Sequence, residues 1–336
     1  MKKQRQSIPP VQRYSYDDFL AQFPNDDACL EYIKEARWPD GVTVCDSKTC
    51  EGQERKHHRV AGRTAYVCGY CGHQIYPLAG TIFEKTTTPL HKWFLAIFLM
   101  SATRCGISAK QLQRSVTVTY KTAWRMFKQI RSLFAEELTL EGSSVELDEC
   151  YVGGREKNKH RNKRSSRGRE TESKTPVFGM IERGGRVVAQ VTPNVKTATI
   201  FPIIEKRVMP KSTIFTDEYP IYDSLAHHKN EYEHKRVNHS QDVYVMGDAH
   251  TNSLEGFWSL VKRGIGGVYH SVSRKHLQDY LNEYSFRFNH RFDNQPMFAS
   301  VLQQVALKAE MPSLESDETK ASEPKGSGDR GQVVPF

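Results

Sequence analysis

Four cysteines form two close pairs in the first quarter of the chain, and their spacing constrains the fold more than any other feature. Cys45 and Cys50 have four residues between them, seventeen residues follow, and Cys68 and Cys71 have two between them. Two hairpin turns that each supply two thiolates can complete a tetrahedral zinc site. We therefore predict a zinc ribbon over residues 38–88, with a structural Zn²⁺.

Alternatives to this set of ligands remain open. Because the first pair is wider than the second, His57 or His58 is a possible substitute for Cys45. Four free thiols are also possible. The basic start, Met1–Gln6, is not followed by an apolar segment, so we expect no signal peptide and a reducing compartment. In such a compartment, close cysteine pairs favour metal over disulfides.

Three acidic residues stand in settings that suit metal-dependent chemistry on phosphodiesters. Asp148 ends an apolar strand that begins at Val145, Asp217 ends another that begins at Ile214, and Glu255 lies in a predicted helix over 252–262. Two divalent ions can activate a nucleophile and stabilise a leaving oxygen. Mg²⁺ takes only one or two protein carboxylates, so three suffice for two ions.

The predicted helix places a polar stripe on one face. Its members are Asn252, Glu255, Ser259 and Lys262, whereas Leu254, Trp258 and Val261 point elsewhere. Lys262 could then hold a phosphate beside the metals. Asn252 with Glu255 also fits a helix capping box, and Asp148 and Asp217 could each be turn residues at strand ends.

Two segments carry a family resemblance, residues 145–154 (VELDECYVGG) and 250–264 (HTNSLEGFWSLVKRG). They resemble the zinc-ribbon DDE transposases of bacterial insertion sequences, the ISXO-type group. The likeness extends from about Trp38 to about Arg291. It implies that Asp148, Asp217 and Glu255 bind two Mg²⁺ or Mn²⁺ ions, with Lys262 as a helper. Asn252 is kept as a second candidate for the third position.

The resemblance also implies an α/β architecture whose catalytic domain, residues 141–308, is ribonuclease H-like. Between the two aspartates the pattern predicts strands at 176–182 and 186–192, a helix at 196–208 and, further on, a strand near 232–237. Gly184 and Gly185 indicate a hairpin. In this fold the first and fourth strands are neighbours, which would bring Asp148 and Asp217 together.

Residues 89–140 read as a small helical, helix-turn-helix-like DNA-binding region. Ser108 can cap a second helix, and Thr117 or Thr119 a third that runs to about Leu138. Basic residues are predicted to line the exposed face of that third helix, while Trp124, Phe127 and Ile130 pack; the basic residues are Lys121, Arg125, Lys128 and Arg131. A solvated amphipathic helix fits the same pattern.

Charge is unevenly distributed around a net value of +9, which suggests a polyanionic partner. The insertion at 155–174 holds nine Lys or Arg residues and is predicted to contact DNA through residues that include Arg161, Lys163 and Arg164, as is Arg263 further on. A solvated loop is the alternative. Residues 309–336 read as a disordered acidic tail, and residues 1–37 as a lead with a short helical segment.

These observations predict a cytoplasmic bacterial enzyme that is associated with the nucleoid when bound to DNA. Its partners would be double-stranded element ends and target DNA, handled by a homo-oligomer. No stretch approaches the ~18 apolar residues of a membrane helix. The predicted function is binding of terminal inverted repeats, metal-dependent strand cleavage and strand transfer. The alternatives are a non-catalytic zinc-ribbon DNA-binding regulator, an inactive copy, or a nuclease that cuts without joining.

Overall fold

The computed structural model describes residues 13–39, 41–103, 105–153, 174–236 and 252–310. It opens with two short helices, α1 (Tyr16–Gln22) and α2 (Asp26–Arg37). Four short strands follow, β1 (Val42–Val44), β2 (Glu54–Arg59), β3 (Tyr66–Cys68) and β4 (Gln74–Ile75). Each pairs antiparallel with the next. This meander places both cysteine pairs in or beside turns.

Three helices come next, α3 (Leu90–Ala102), α4 (Ala109–Val116) and α5 (Tyr120–Leu133). Two of the predicted caps are present, because the Ser108 hydroxyl accepts the Gln111 N–H and the Thr119 hydroxyl accepts the Thr122 N–H. Thr117 instead ends α4 in the left-handed region, with φ of 56°. The predicted end of the third helix near Leu138 was wrong: the N–H of Phe134 closes the last turn of α5.

A five-stranded sheet fills the second half of the chain. Its strands are β5 (Ser144–Val152), β6 (Thr175–Glu182), β7 (Val187–Val191), β8 (Thr213–Thr216) and β9 (Glu233–Arg236). The spatial order is β7-β6-β5-β8-β9. Strand β6 runs antiparallel to both of its neighbours, β5 and β7, whereas β8 and β9 run parallel to β5. Four predicted elements are therefore present, each with bounds within about a residue of the prediction: the two hairpin strands, the helix that follows them and the strand near 232–237.

Helices cover both faces of this sheet. Helix α6 (Thr197–Arg207) packs on the face that carries Val145 and Leu147, together with the 3-10 helix Pro220–His227. Helices α7 (Asn252–Gly264) and α8 (Leu277–Asn289) cover the opposite face. A π-helical turn, Ile265–Tyr269, and a 3-10 turn, Arg274–His276, connect α7 to α8.

The last helix, α9 (Met297–Glu310), lies with the N-terminal helices and not on the sheet. Its Phe298, Val301 and Leu302 are buried in one cluster with Phe19 and Phe94. The domain predicted over 141–308 therefore ends with a helix that belongs to another core. The reason is that α9 has an apolar face that only the helical cluster can bury.

Several predictions fall on segments outside the described residues. The basic insertion is one, including Arg161, Lys163 and Arg164, and most of the acidic tail is another. Of that tail, residues 309–310 are the end of α9. Across the described ranges, the helices are all too short or too polar to cross a membrane.

Candidate active site

Parallel pairing of β5 with β8 sets the positions of the two aspartates. The register pairs Glu146 with Phe215. Asp217 lies two residues further on, just past the end of β8, and Asp148 lies two residues further along β5. Asp148 was predicted to end its strand, but β5 continues to Val152. Neighbouring strands are ~4.8 Å apart, so the two acidic residues stand at the same level of the sheet. The alternation of side chains along β5 puts Asp148 on the face that α7 covers.

Helix α7 presents the polar stripe that its sequence predicts. Glu255, Ser259 and Lys262 are exposed, whereas Leu254, Trp258 and Val261 are buried against the sheet. Asn252 begins the helix. Its side chain is outside the described part of the structure, so its role as a second candidate remains a prediction.

Electrostatics connect Asp148 with the other two acidic residues. The pKa of Asp148 is raised to about 6, mainly by burial and also by the negative charges of Asp217 and Glu255. A backbone hydrogen bond and the Trp258 indole oppose this rise. Asp148 therefore lies near enough to both other carboxylates to be repelled by them, and a bound cation would relieve that repulsion.

Trp258 is a site residue that the sequence analysis treated only as packing. Its indole N–H donates to Oδ2 of Asp148 at 3.0 Å. Gly179, the β6 partner of Asp148, makes room for the ring. A Cβ atom at position 179 would stand 2.3 Å from Cζ2 of Trp258. The glycine in a strand was the one available signal, since it often marks close approach of another group.

Glu146 lies two residues before Asp148 on the same face and is fully buried. Its carboxylate accepts the backbone N–H of Leu254 and the hydroxyl of Ser253, both at 3.3 Å, at the start of α7. It also pairs with Arg183 at 3.2 Å. A buried carboxylate at a helix N-terminus satisfies free backbone donors, so Glu146 holds α7 in position. Its place in an apolar strand was the missed signal.

Lys262 of α7 lies near Cys150, which is on the same face of β5 as Glu146 and Asp148. Burial raises the pKa of the Cys150 thiol, and the nearby Lys262 ammonium opposes that rise. Glu146, Asp148 and Cys150 thus contact three successive turns of α7. Two strand residues span roughly 6.8 Å and four helix residues roughly 6 Å, so the matched spacing keeps β5 and α7 in register.

A fourth carboxylate lies on the opposite face. Glu149 accepts the phenol hydroxyl of Tyr222 at 2.7 Å. The pKa of Glu149 is raised to about 7, because burial and the charges of Asp217 and Asp148 outweigh the Tyr222 hydrogen bond, which lowers it. Asp217 itself accepts the Tyr219 N–H at 3.0 Å. This hydrogen bond is the one expected if Asp217 is a turn residue, which was the alternative for this position. It uses Oδ1 of Asp217 and not Oδ2.

The four predicted zinc ligands are brought together. The sulfur atoms of Cys45, Cys50, Cys68 and Cys71 all lie within 4.8 Å of one another. Among the described residues, this is the only group of three or more His, Cys, Asp or Glu compact enough to hold a metal ion. The structure thus selects Cys45 over His57 and His58. The N–H of His73 is the main cause that lowers the pKa of Cys71 to about 6, which favours the thiolate that zinc requires.

The predicted basic face of α5 needs two corrections. Lys121, Arg125 and Lys128 are exposed. Arg131 is only 3% exposed and pairs with Glu283 of α8 at 2.7 Å, so it does not face solvent. Trp124, predicted to pack, is 41% exposed. The reason is that α8 covers the side of α5 that Arg131 occupies. Arg263 is exposed on α7, with its Nε bonded to the Ser259 carbonyl at 3.2 Å.

The sequence is similar to known transposase domains and to proteins of transposable elements. Residues 139–289 match the ISXO2-like transposase domain, and residues 24–74 match the transposase zinc-ribbon domain. A protein of Halobacterium salinarum, described as an uncharacterized protein in transposable element ISH50, is 32% identical over 80% of this chain and 92% of its own length. An uncharacterized transposase-like protein of Haemophilus influenzae is 35% identical over 31% of this chain and 81% of its own length.

Among solved structures, a chain of the pre-cleavage Mos1 transpososome is similar at 12% identity. The match covers 60% of this chain and 72% of that one, with a TM-score of 0.26, too low to establish a shared fold. The family is shown by the two domain matches and by the Halobacterium salinarum relative. By these matches the chain belongs to the ISXO2-like transposases, with the zinc ribbon of that family ahead of the transposase domain.

Proposed function

We propose that this protein binds the terminal inverted repeats of its insertion sequence, cleaves the DNA to free a 3′-hydroxyl, and joins that hydroxyl to a target phosphodiester. One observation carries the proposal. Asp148 stands in the middle of β5 beside Asp217 and below the helix of Glu255, in a group of carboxylates whose negative charges raise its pKa. Such a group is costly unless cations are bound.

The sheet supports a ribonuclease H-like assignment for the transposase domain. Three antiparallel strands are followed by two parallel ones, and the first strand lies between the second and the fourth. This order places the end of β8, which leads to Asp217, beside the middle of β5, which holds Asp148. Helix α7 then brings a third acidic residue from a distant part of the chain.

The donor set fits Mg²⁺ or Mn²⁺. Asp148, Asp217 and Glu255 supply only oxygen ligands, which these hard cations prefer. When bound, two such ions would lower the pKa of the attacking hydroxyl and stabilise the leaving oxygen. The carboxylates are more open than the cysteine group, and Mg²⁺ keeps several positions for water and substrate phosphate.

The residues around the triad have separate parts in this proposal. Trp258 orients the Asp148 carboxylate through its indole N–H, so one oxygen is directed while the other remains free. Glu146 fixes the start of α7, from which Glu255 projects. Lys262, exposed at the far end of α7, holds a phosphate of the DNA strand. Asn252 is a second candidate for the third position.

DNA recognition is assigned to the zinc ribbon and to the helices α4 and α5, in a helix-turn-helix-like arrangement. Zn²⁺ on the four cysteines is structural, because all four tetrahedral positions are taken by protein. Both ends of an element must be handled together, so we expect the protein to act as a homo-oligomer on DNA.

The test is incubation of purified protein with labelled DNA that carries the inverted repeats flanking its gene, with and without Mg²⁺. We expect metal-dependent nicking at the repeat ends and joining to a second DNA. Nicking without joined product would indicate a nuclease. Specific binding without any cut, in either Mg²⁺ or Mn²⁺, would reassign the protein as a DNA-binding regulator or an inactive copy.

A further inference from the structure

Helices α5 and α8 lie side by side and run in the same direction. Ring contacts advance in step along both: Trp124 with His276 at 5.6 Å, Phe127 with Tyr280 at 6.4 Å, and Phe134 with Phe286 at 5.2 Å. The N-terminal ends of the two helices therefore lie at the same edge of the molecule. The first belongs to the helical region and the second to the transposase domain.

A buried ion triad fixes this pairing. Arg131 of α5 contacts Glu283 of α8 at 2.7 Å, and Arg287 contacts the same carboxylate at 2.5 Å. The side chains are 3%, 1% and 7% exposed, respectively. The Arg131 guanidinium also lies 3.5 Å from the ring centroids of both Phe127 and Tyr280. Buried charges tolerate few alternative arrangements, so α5 and α8 are held as one rigid unit.

The edge where both helices begin is strongly basic. Helices α4 and α5 contain no acidic residue. Their exposed cations are Lys110, Arg114, Lys121, Arg125 and Lys128, and Arg274 and Lys275 are exposed at the start of α8. None of these seven forms an ion pair with any residue that the structure describes. Cations without partners are free to bind phosphate groups.

Exposed aromatic rings lie among these cations. Tyr120 is 44% exposed and Trp124 is 41% exposed. Trp124 packs edge-on against His276, so its ring marks the seam between α5 and the Arg274–His276 turn. Flat rings beside unpaired cations are typical of nucleic-acid surfaces, where they pack on sugars and bases.

We propose that α5 and the Arg274–His276 turn form one continuous duplex-DNA surface, with Trp124 at the seam. This inference rests on the proposed function, and it adds that the transposase domain itself grips the duplex that α5 binds. Packed helices have axes about 8–10 Å apart, and the major groove of DNA is about 12 Å wide. With α5 along the groove, Arg274 and Lys275 reach the flanking phosphates.

The experiment measures binding of the zinc-loaded full chain to duplexes with and without the element end, over a range of salt and with no magnesium added. The variant is Arg274→Gln with Lys275→Gln. The control is Lys196→Gln with Lys211→Gln, which removes the same charge from exposed sites at the start of α6 and in the turn before β8. Thermal unfolding of each variant checks the fold.

We expect the variant to reduce the slope of log affinity against log salt by up to about 2, since each phosphate contact contributes roughly 0.9. Affinity should fall about tenfold or more for both duplexes, so that the preference for the element end is kept. The control should match the wild type. Arg274→Lys with Lys275→Arg should restore the slope, because it keeps both charges.

Other outcomes separate the two proposals. If the wild type binds element ends and the variant binds them equally well with an unchanged slope, the composite surface is refuted and the proposed function is unaffected. A fall that the control shares would also refute it, because it would reflect net charge alone. If the wild type binds no DNA at all, the proposed function fails and this inference fails with it.

Discussion

The zinc ribbon and the carboxylate cluster both gather side chains of kinds that can bind metals, but they do so in opposite ways. The four cysteines come from 27 consecutive residues, and their sulfur atoms lie within 4.8 Å of one another. The acidic residues come from β5, the end of β8 and α7, and they form no such compact group within the described residues. A closed set of ligands stabilises a fold, whereas an open set leaves room for substrate.

The pKa shifts also differ between the two regions. In the ribbon, the His73 N–H, 3.4 Å from the Cys71 sulfur, lowers the pKa of Cys71, whereas burial raises the pKa of Cys45 and Cys50. Among the carboxylates, burial and the charges of Asp217 and Glu255 raise the pKa of Asp148 to about 6. Folding therefore concentrates negative charge at the carboxylates, which in the proposed function a bound cation offsets.

The largest effect is expected from breaking the ribbon. Cys68→Ser should abolish zinc binding and unfold the ribbon, because structural zinc contributes about 10–16 kcal/mol of folding free energy in small zinc domains. Zinc content measured by atomic absorption should fall, and DNA-end binding should be lost. Cys29→Ser serves as a control, since that buried thiol lies outside the ligand group. Retention of zinc by Cys68→Ser would contradict the four-cysteine site.

Asp148→Asn should have the next largest effect on function, and that effect should be on the chemistry and not on DNA binding. We expect strand cleavage to fall by a factor on the order of 10³ or more, as is common for groups central to a catalytic site, with DNA-end binding unchanged. A loss of binding that parallels the loss of cleavage would instead show Asp148 to be structural.

The same substitution should stabilise the metal-free fold at neutral pH. The pKa of Asp148 in the folded state, about 6, exceeds the usual 3.8. The protonated carboxyl therefore makes its full contribution to stability below about pH 4, and this contribution is lost as the pH rises through about 6. Removing the charge should recover up to about 3 kcal/mol. Thermal unfolding with and without Mg²⁺ provides the measurement, and Mg²⁺ should raise the midpoint of the wild type more than that of the variant.

Gly179→Ala should have a smaller effect that links packing to the site. The new Cβ would stand 2.3 Å from Trp258, so the indole must move and its bond to Asp148 must weaken. Overpacking of this kind costs about 1–3 kcal/mol, which denaturant unfolding would measure. Gly256→Ala on α7 meets nothing within 4 Å and should stabilise slightly. Equal effects of the two changes would argue against the close approach.

The smallest effect concerns His290, outside both regions. Burial lowers its pKa, but hydrogen bonds to Glu136 at 2.8 Å and Asp293 at 2.5 Å outweigh burial and raise it. Its contribution, about 1–2 kcal/mol, should be complete below its unfolded pKa of ~6.5 and lost as pH rises through the folded value. His290→Gln should remove this pH dependence of unfolding, and persistence would assign it to another group.

Local sequence patterns were sufficient to predict many of the secondary-structure elements and the cysteine group. The hairpin at Gly184 and Gly185, the caps Ser108 and Thr119, and the cysteine pairs each depend on a few consecutive residues. The helical periodicity of α7 correctly predicted that Glu255 and Lys262 are exposed and that Trp258 is buried. Helical and strand periods are properties of the chain itself, so they can be read without knowing the neighbours.

Partners across long separations could not be read in this way. Arg131 looks like another basic residue on an amphipathic helix, yet it is buried against Glu283, 152 residues away. Glu146 interrupts an apolar strand without any local sign that it holds the start of α7. Likewise, α9 follows the transposase domain in sequence but packs on the first helices.

The sequence by itself determined the elements, the ligand types and the family resemblance, because each follows from residue identity and local spacing. Tertiary structure alone decided which faces meet. The pairing of β5 with β8, the register of α7 and the parallel packing of α5 on α8 all result from burying apolar faces and ion pairs that lie far apart in the chain. Those contacts turn separate acidic and basic residues into a site and a surface.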